Sequence, residues 1–319
     1  MLFRLLAIPN LHFYVGASLA EHTRFEVGGQ ARILLDAGDE NALMEVSRAI
    51  VESGWPRVVI GGGSNLIVSD DGFPGAVLRY RESGIEFDGS TVRVGAGAVL
   101  QKLVDETIDR GLRGLDTMTG IPGWVGGAVY GNAGAYGHSI HERVMSVRFF
   151  DGKAIREIGN AECDFRYRES VFKRRKDWII LSTTLQLEEG DAQTLRDSAE
   201  AILKIRNEKY PPTMRCAGSI FKNLLFAELP ESVRAMVPDR VVREGKVPSA
   251  YFLEEAGAKG MSNGPIHVAG YHANLIYNRG GGTAEQIRAM ICVLKSRVRE
   301  KFGIELEEEV QYVPANSLH

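Results

Sequence analysis

The chain has 319 residues, 44% of them hydrophobic and 25% charged, with a formal net charge of −3 and a pI near 6.2. That length fits two or three domains with a substantial core, and the composition excludes a disordered, collagen-like or coiled-coil chain. The near-neutral charge excludes a general pull toward nucleic acid, and no apolar run approaches a membrane span, so neither partner is expected.

The first residues, Met1 to Pro9, are apolar but too short and too weakly charged for a signal peptide. Cys163, Cys216 and Cys292 form a sparse, odd set without Cys-x-x-Cys, which fits a reducing cytoplasm. The seven histidines include no pair at zinc-ligand spacing, so no metal site is expected.

Leu43, Val46, Ala49 and Ile50 recur at helical spacing, and a strand is expected over 57–60. The turn Gly61-Gly62-Gly63-Ser64-Asn65 follows directly. A dinucleotide fingerprint would continue into a helix facing the pyrophosphate. Here Leu66-Ile67-Val68 reads as a strand, so the Rossmann reading fails. Consecutive amides in such a loop can still form an anion nest.

Strands are expected at 76–80, 85–87 and 92–95, then a helix with Leu100, Leu103, Val104 and Ile108 on one face. From Gly120 to Gly137 come seven glycines and almost no bulky side chain. Such a stretch lets backbone amides approach a ligand closely. Two glycine-dense surfaces point to a large, phosphate-bearing ligand gripped mainly by main chain.

Further strands are expected at 144–150, 154–158 and 178–187, and a helix at 192–207. The breaker Lys209-Tyr210-Pro211-Pro212 marks a domain boundary. Beyond it lie 216–223, a loop-rich stretch over 224–248, a short helix at 251–255 and the clearest helix, 284–302. Its apolar stripe is Ile287, Met290, Ile291, Leu294 and Val298. A final strand is expected over 304–313, with Ile304, Leu306, Val310 and Tyr312 on one face. That register puts Glu308 on the apolar face and Glu309 away from it. Mixed elements without strict βαβ alternation indicate an α+β fold, and no internal repeat is evident.

The chain carries, in order, His22-Thr23-Arg24-Phe25-Glu26-Val27-Gly28-Gly29, Gly61–Asn65, Gly120–Gly137, Tyr167-Arg168-Glu169-Ser170, Gly218-Ser219-Ile220-Phe221-Lys222-Asn223, His272-Ala273-Asn274 and Glu307-Glu308-Glu309-Val310. Together these motifs resemble the UDP-N-acetylenolpyruvoylglucosamine reductases of peptidoglycan synthesis. The resemblance covers nearly the whole chain. The short interval between Arg168 and Ser219 is similar to the branch lacking an extra tyrosine-bearing loop over the substrate.

The resemblance implies two FAD-binding subdomains of the vanillyl-alcohol-oxidase (PCMH) type, 1–78 and 79–208, and an α+β substrate domain, 209–319, with 304–319 packing back near the first. It implies noncovalent FAD, NADPH as hydride-donating co-substrate, and reduction of the enolpyruvyl ether of a UDP-sugar by a cytoplasmic enzyme, for which a monomer is favoured.

Such a reaction needs a cation at the developing negative charge and a proton donor. On residue type alone Arg168 reads first as part of a solvated basic face with Arg166 and Lys173–Lys176, and Ser219 as a turn cap. The resemblance assigns Arg168 to stabilise charge, Ser219 to donate the proton and Glu309 to assist protonation, with Glu307 and Glu308 one slip away. For FAD it implies Arg24, the amides of Gly61, Gly62, Gly63, Ser64 and Asn65, and the segment Gly120, Ile121, Pro122, Gly123, Gly126, Gly127 with Asn132. For substrate it implies Lys209, Lys222 and Asn223.

This chain departs from the family pattern at Tyr210, where Gln is usual, at Trp124, where a smaller residue is usual, and at Leu224, where Pro is usual. The stretch 224–250 reads as an insertion with its own helical turns. A flavin-dependent alcohol or sugar oxidase, or a non-catalytic UDP-sugar or flavin binder, are the competing readings.

Overall fold

The computed structural model describes residues 2–315. Its first sheet has the order Leu11–Val15, Ala31–Ala37, Phe73–Tyr80, Arg57–Val59; the first pair is antiparallel and the others parallel. Parallel neighbours require a crossover, and the helix Glu40–Ser53 supplies one. Asp39 caps that helix by accepting the Ala42 N–H, and Gly54 ends it in the left-handed region (φ 67°). Its buried face is Leu43, Val46, Ala49 and Ile50, as the spacing predicts.

The strands Ala31–Ala37 and Phe73–Tyr80 are buried along almost their whole length. One charged pair lies between them. Asp36 and Arg79 are register partners, and the guanidinium donates to both carboxylate oxygens at 2.6 Å.

The second sheet is antiparallel throughout, ordered Ile155–Gly159, Val144–Phe150, Ile179–Gln186, Thr91–Gly95, Ile85–Asp88. The helices Leu100–Asp109 and Ala192–Lys209 accompany it. One apolar cluster, with Leu43, Val94, Leu103, Phe149 and Phe172, runs from the helix-covered side of the first sheet into the second.

A separate core holds the C-terminal part together. The antiparallel strands Ser262–Asn263, Ile266–Ala269 and His272–Asn278 share it with the helices Ser249–Glu255 and Ala284–Phe302. Thr283 and Gln286 form a capping box on the long helix. Asp70, from the turn after the strand Leu66–Val68, adds a second cap by accepting from Ala284 and Glu285. The stretch 224–248 does carry its own turns, including the helix Glu231–Arg234, and is closed by pairing of Leu224–Leu225 with Lys246–Val247.

Some expectations need correction. The strands Leu11–Val15, Ala31–Ala37 and the C-terminal sheet were not read from the sequence. The glycine-dense segment contains the short helix Val125–Tyr130. The last strand is only Gln311–Val313, paired in parallel with Leu66–Val68, and Tyr312 is exposed rather than on the buried face. Alternation holds from Ile304 to Leu306 and breaks at Glu308 and Glu309, which are both half-buried.

Removing Asp36 leaves the Arg79 guanidinium buried without its counter-charge. Asp36→Ala should lower the unfolding free energy by about 3–5 kcal/mol in urea titrations, and the double variant Asp36→Leu/Arg79→Leu by distinctly less.

Candidate active site

The two glycine segments meet. A Cβ on Gly63 would lie 1.8 Å from the His22 carbonyl oxygen, and its φ is 67°, so only glycine fits there. A Cβ on Gly62 would lie 3.0 Å from the Trp124 ring, and one on Gly123 2.7 Å from Ser64 Oγ. Among the described residues the N–H groups of Gly61, Gly62, Gly63, Ser64 and Asn65 donate to no protein acceptor. Consecutive amides without protein partners are poised for an anion.

Beside them is a cleft of ≈ 340 Å³ lined by His22, Arg24, Gly62, Ser64, Arg79, Gly123 and Trp124, among others. Arg81 and Arg79 lie over the Trp124 ring, 4.9 and 5.9 Å from its centre. Burial and then Arg79, whose Nη1 is 3.0 Å from His22 Nδ1, hold the His22 imidazole below its usual range. Arg24 pairs with no carboxylate among the described residues; its Nη2 lies 3.5 Å from the Pro211 carbonyl oxygen. Free amides, an uncommitted guanidinium and a ring-walled cleft fit the phosphates and flat rings of FAD.

The second segment contributes less than expected. Gly120 N donates to Gln101 Oε1 (2.6 Å), Ile121 N to Met118 O (3.0 Å) and Gly126 N to Ala96 O (2.9 Å), and Pro122 has no N–H. The three amides are already used within the protein. Gly123 and Gly127 keep amides without a protein acceptor, and a Cβ on Gly127 would meet nothing within 4 Å. Asn132 is also committed: it is buried, its Nδ2 donates to Arg166 O (2.8 Å), and its Oδ1 accepts from His141 N (3.3 Å). It braces the loop that carries Arg168.

That loop holds Arg168 at φ 59°, a left-handed conformation that persists in a non-glycine residue only when its surroundings enforce it. Arg166 and Glu169 exchange backbone hydrogen bonds of 3.0 Å, and Lys173 Nζ donates to Arg168 O (2.8 Å). The guanidinium is thereby aimed at Glu309, with Nε 2.7 Å from Oε1, while Nη2 donates to Gly134 O (2.9 Å).

Three consecutive glutamates meet three different cations. Glu307 accepts from Lys222 (2.6 Å), Glu308 from Lys295 (2.8 Å) and Glu309 from Arg168. Glu309 is fixed from both sides: its N–H donates to Ile220 O (2.7 Å) and its carbonyl accepts from Asn65 Nδ2 (3.0 Å). The Asn65 side chain therefore ties the glycine loop to Glu309. Its free atom is the buried Oδ1, an acceptor, which suits a hydroxyl such as that of a ribose, or a ring N–H, rather than a phosphate.

Ser219 follows Gly218 (φ 75°) and bridges to Leu275, one residue from the Ile220 carbonyl that holds Glu309. Its Oγ lies 3.0 Å from the Tyr210 hydroxyl. Lys222 is not open to a ligand as expected. It is buried, with Nζ 2.7 Å from Glu169 and 2.6 Å from Glu307. Burial opposes its charge, but those two carboxylates outweigh burial and raise its pKa. Asn223 is exposed; its N–H reaches Tyr167 Oη (3.3 Å) and its Oδ1 accepts from Ser249 N (3.4 Å). Lys209 is half-buried, with Nζ 5.1 Å from the centre of the Tyr210 ring.

Sequence reasoning gave no role to Tyr210, Glu169, Lys173 or Tyr167, although Tyr167 and Glu169 stood in the motif around Arg168, Lys173 in the basic run and Tyr210 as a departure from Gln. Cys163, Cys216 and Cys292 are all free, and among the described residues no cluster suits a metal and no helix is long and apolar enough to cross a membrane.

The model described as "FAD binding domain" matches residues 31–156, and that described as "UDP-N-acetylenolpyruvoylglucosamine reductase, C-terminal domain" matches 210–313. The UDP-N-acetylenolpyruvoylglucosamine reductase of Solibacter usitatus is 58% identical over 310 residues, covering 97% of this chain and 99% of that protein. That of Bacillus subtilis is 33% identical over 301 residues, 93% of each chain. The solved reductase of Thermus caldophilus superposes with a TM-score of 0.73 at 28% identity, over 95% of this chain and 99% of its own. The expected fold class, α+β with a two-part FAD-binding region of the vanillyl-alcohol-oxidase type and a C-terminal α+β domain, holds.

His272, beside Tyr210, supplies a pH test. Burial first, then Lys209 and Lys259, lower its pKa to about 4. Below the ordinary value of 6.5 the unfolded chain binds a proton that the folded chain refuses. Stability should therefore fall as pH drops from 6.5 toward 4, by up to about 3 kcal/mol. His272→Gln should flatten that part of a urea-denaturation profile.

Proposed function

The chain belongs to the UDP-N-acetylenolpyruvoylglucosamine reductase family, and we propose that it converts UDP-N-acetylglucosamine enolpyruvate to UDP-N-acetylmuramate for peptidoglycan, using NADPH. The observation that carries this reading is the Arg168–Glu309 ion pair, set against the segment bearing Ser219 and tied through Asn65 to the glycine loop. Noncovalent FAD, held by the Gly61–Asn65 amides and Arg24, would supply the hydride-transfer chemistry.

Adding a hydride to a vinyl ether carboxylate builds negative charge on the carbon beside the carboxylate. A guanidinium held at that carbon lowers the barrier, because it is in place before the charge develops. Arg168 has this role, and its loop and Glu309 prevent it from swinging away. Ser219 gives its hydroxyl proton to the same carbon, and Glu309 assists from the adjoining segment. A serine hydroxyl is a weak acid in water, but an incipient carbanion is basic enough to take its proton at hydrogen-bond distance.

Lys209, whose ammonium has no carboxylate partner among the described residues, and the exposed Asn223 bind the UDP portion. Lys222 is reassigned from substrate to scaffold, since its donors already serve Glu169 and Glu307. On this reading 1–78 and 79–208 hold the cofactor and 209–319 the substrate.

Ser219→Ala should leave reduction of the bound flavin by NADPH nearly intact, while its reoxidation by the UDP-sugar falls by ~10² to 10⁴ in stopped-flow traces. Substrate affinity should change little. An unchanged second half-reaction would remove Ser219 from the mechanism. NADPH and the UDP-sugar are read as using one cleft in turn, so steady-state kinetics should give parallel, ping-pong lines; intersecting lines would reject this.

A further inference from the structure

The strongest unassigned contact in the site is that between Ser219 Oγ and the Tyr210 hydroxyl, 3.0 Å apart. Among the described residues it is the only side-chain hydrogen bond that either hydroxyl makes. A hydroxyl has one proton and two acceptor lone pairs. When Ser219 points its proton at a substrate carbon, its oxygen can only accept from Tyr210. The direction of that hydrogen bond then follows from the chemistry of the serine.

The ring of Tyr210 is framed by positive charge. Lys209 Nζ lies 5.1 Å and Arg206 Cζ 5.8 Å from its centre. His272 meets it edge-on at 6.3 Å. Arg206 carries a buried Nε without a hydrogen-bond partner, so its charge is poorly compensated by the protein. No carboxylate accepts from the Tyr210 hydroxyl. Tyr210 is half-buried, open enough for water to return a proton.

We propose that Tyr210 is a positioning residue for Ser219 that also relays its proton. As the Ser219 O–H bond breaks and the new C–H bond forms, the Tyr210 O–H proton crosses the 3.0 Å contact to the serine oxygen. Ser219 leaves the step as a neutral hydroxyl, and the phenolate beside Lys209 and Arg206 is reprotonated by water. No free alkoxide forms, which removes the main objection to a serine acid. This rests on the reading of Ser219 as the donor.

Tyr210→Phe keeps the ring against His272 and Lys209 and deletes only the hydroxyl. The substrate half-reaction should slow by ~10-fold or more, with reduction by NADPH unchanged and KM for the UDP-sugar within about twofold. In mixtures of H₂O and D₂O the wild-type rate of that half-reaction should bow below a straight line, as two moving protons require, and the Tyr210→Phe rate should be linear. Tyr210→Gln returns a donor that cannot pass its proton on, so it should recover part of the rate and stay linear. An undiminished rate with a bowed dependence in Tyr210→Phe overturns the relay, as does a bowed dependence in Tyr210→Gln. Ser219→Ala separates the two levels. If it leaves the half-reaction intact, the reading of Ser219 fails; if it slows the reaction while Tyr210→Phe does not, only the relay fails.

Discussion

The contact between Arg168 and Glu309 is the constraint to which the rest of the site conforms. It joins residues 141 positions apart, from two separately cored parts of the molecule. Arg168 reaches it from a left-handed backbone conformation. That conformation is held by Asn132, by the Arg166–Glu169 backbone pair and by Lys173. On the other side, Glu309 is pinned by Ile220 and Asn65. An ion pair partly shielded from water is geometrically demanding, and each of these partners removes a way for it to slip. The same partners connect the glycine loop, the serine segment and the last strand.

Charge is distributed around that pair with little redundancy. Lys222 and Lys173 both bind Glu169, and Lys222 also binds Glu307, so the segments flanking Arg168, Ser219 and Glu309 are tied together a second time. The cations left over are those nearer the openings: Arg24 by the cleft and Lys209 by Tyr210. A site for an anionic substrate needs this separation. Lys222 and Lys173 are neutralised by the scaffold they hold, whereas Arg24 and Lys209 keep their charge for ligand.

Much of the fold was legible because its helices carry an apolar face. Leu43, Val46, Ala49 and Ile50 on one helix, and Ile287, Met290, Ile291, Leu294 and Val298 on another, are all buried as their spacing predicts. The strand Ala31–Ala37 was missed because burial on both faces removes the alternation that reveals a strand. The site motifs were legible as residue types, and the commitments of individual atoms were not. Nothing in Gly-Ile-Pro-Gly says that the amides of Gly120 and Ile121 already have acceptors. Nor does Lys222 announce two carboxylate partners drawn from positions 169 and 307. The run of three glutamates could not be ordered from a two-residue period, because the strand starts only at Gln311 and the period breaks just before it.

The pairing of Gln311–Val313 with Leu66–Val68 has a consequence for the order of events during synthesis. The Gln311 N–H bonds the Asn65 carbonyl, and the Val313 carbonyl accepts from Ser69, so residues near position 66 are bracketed by chain made some 240 residues later. A ribosome adding roughly 5–20 residues per second exposes the glycine loop well before its bracket exists. Until then the loop lacks the neighbours that orient Asn65, and contacts of such long sequence separation are slow to close. The nascent chain therefore has no finished cradle until Gln311–Val313 has been made and has paired with Leu66–Val68.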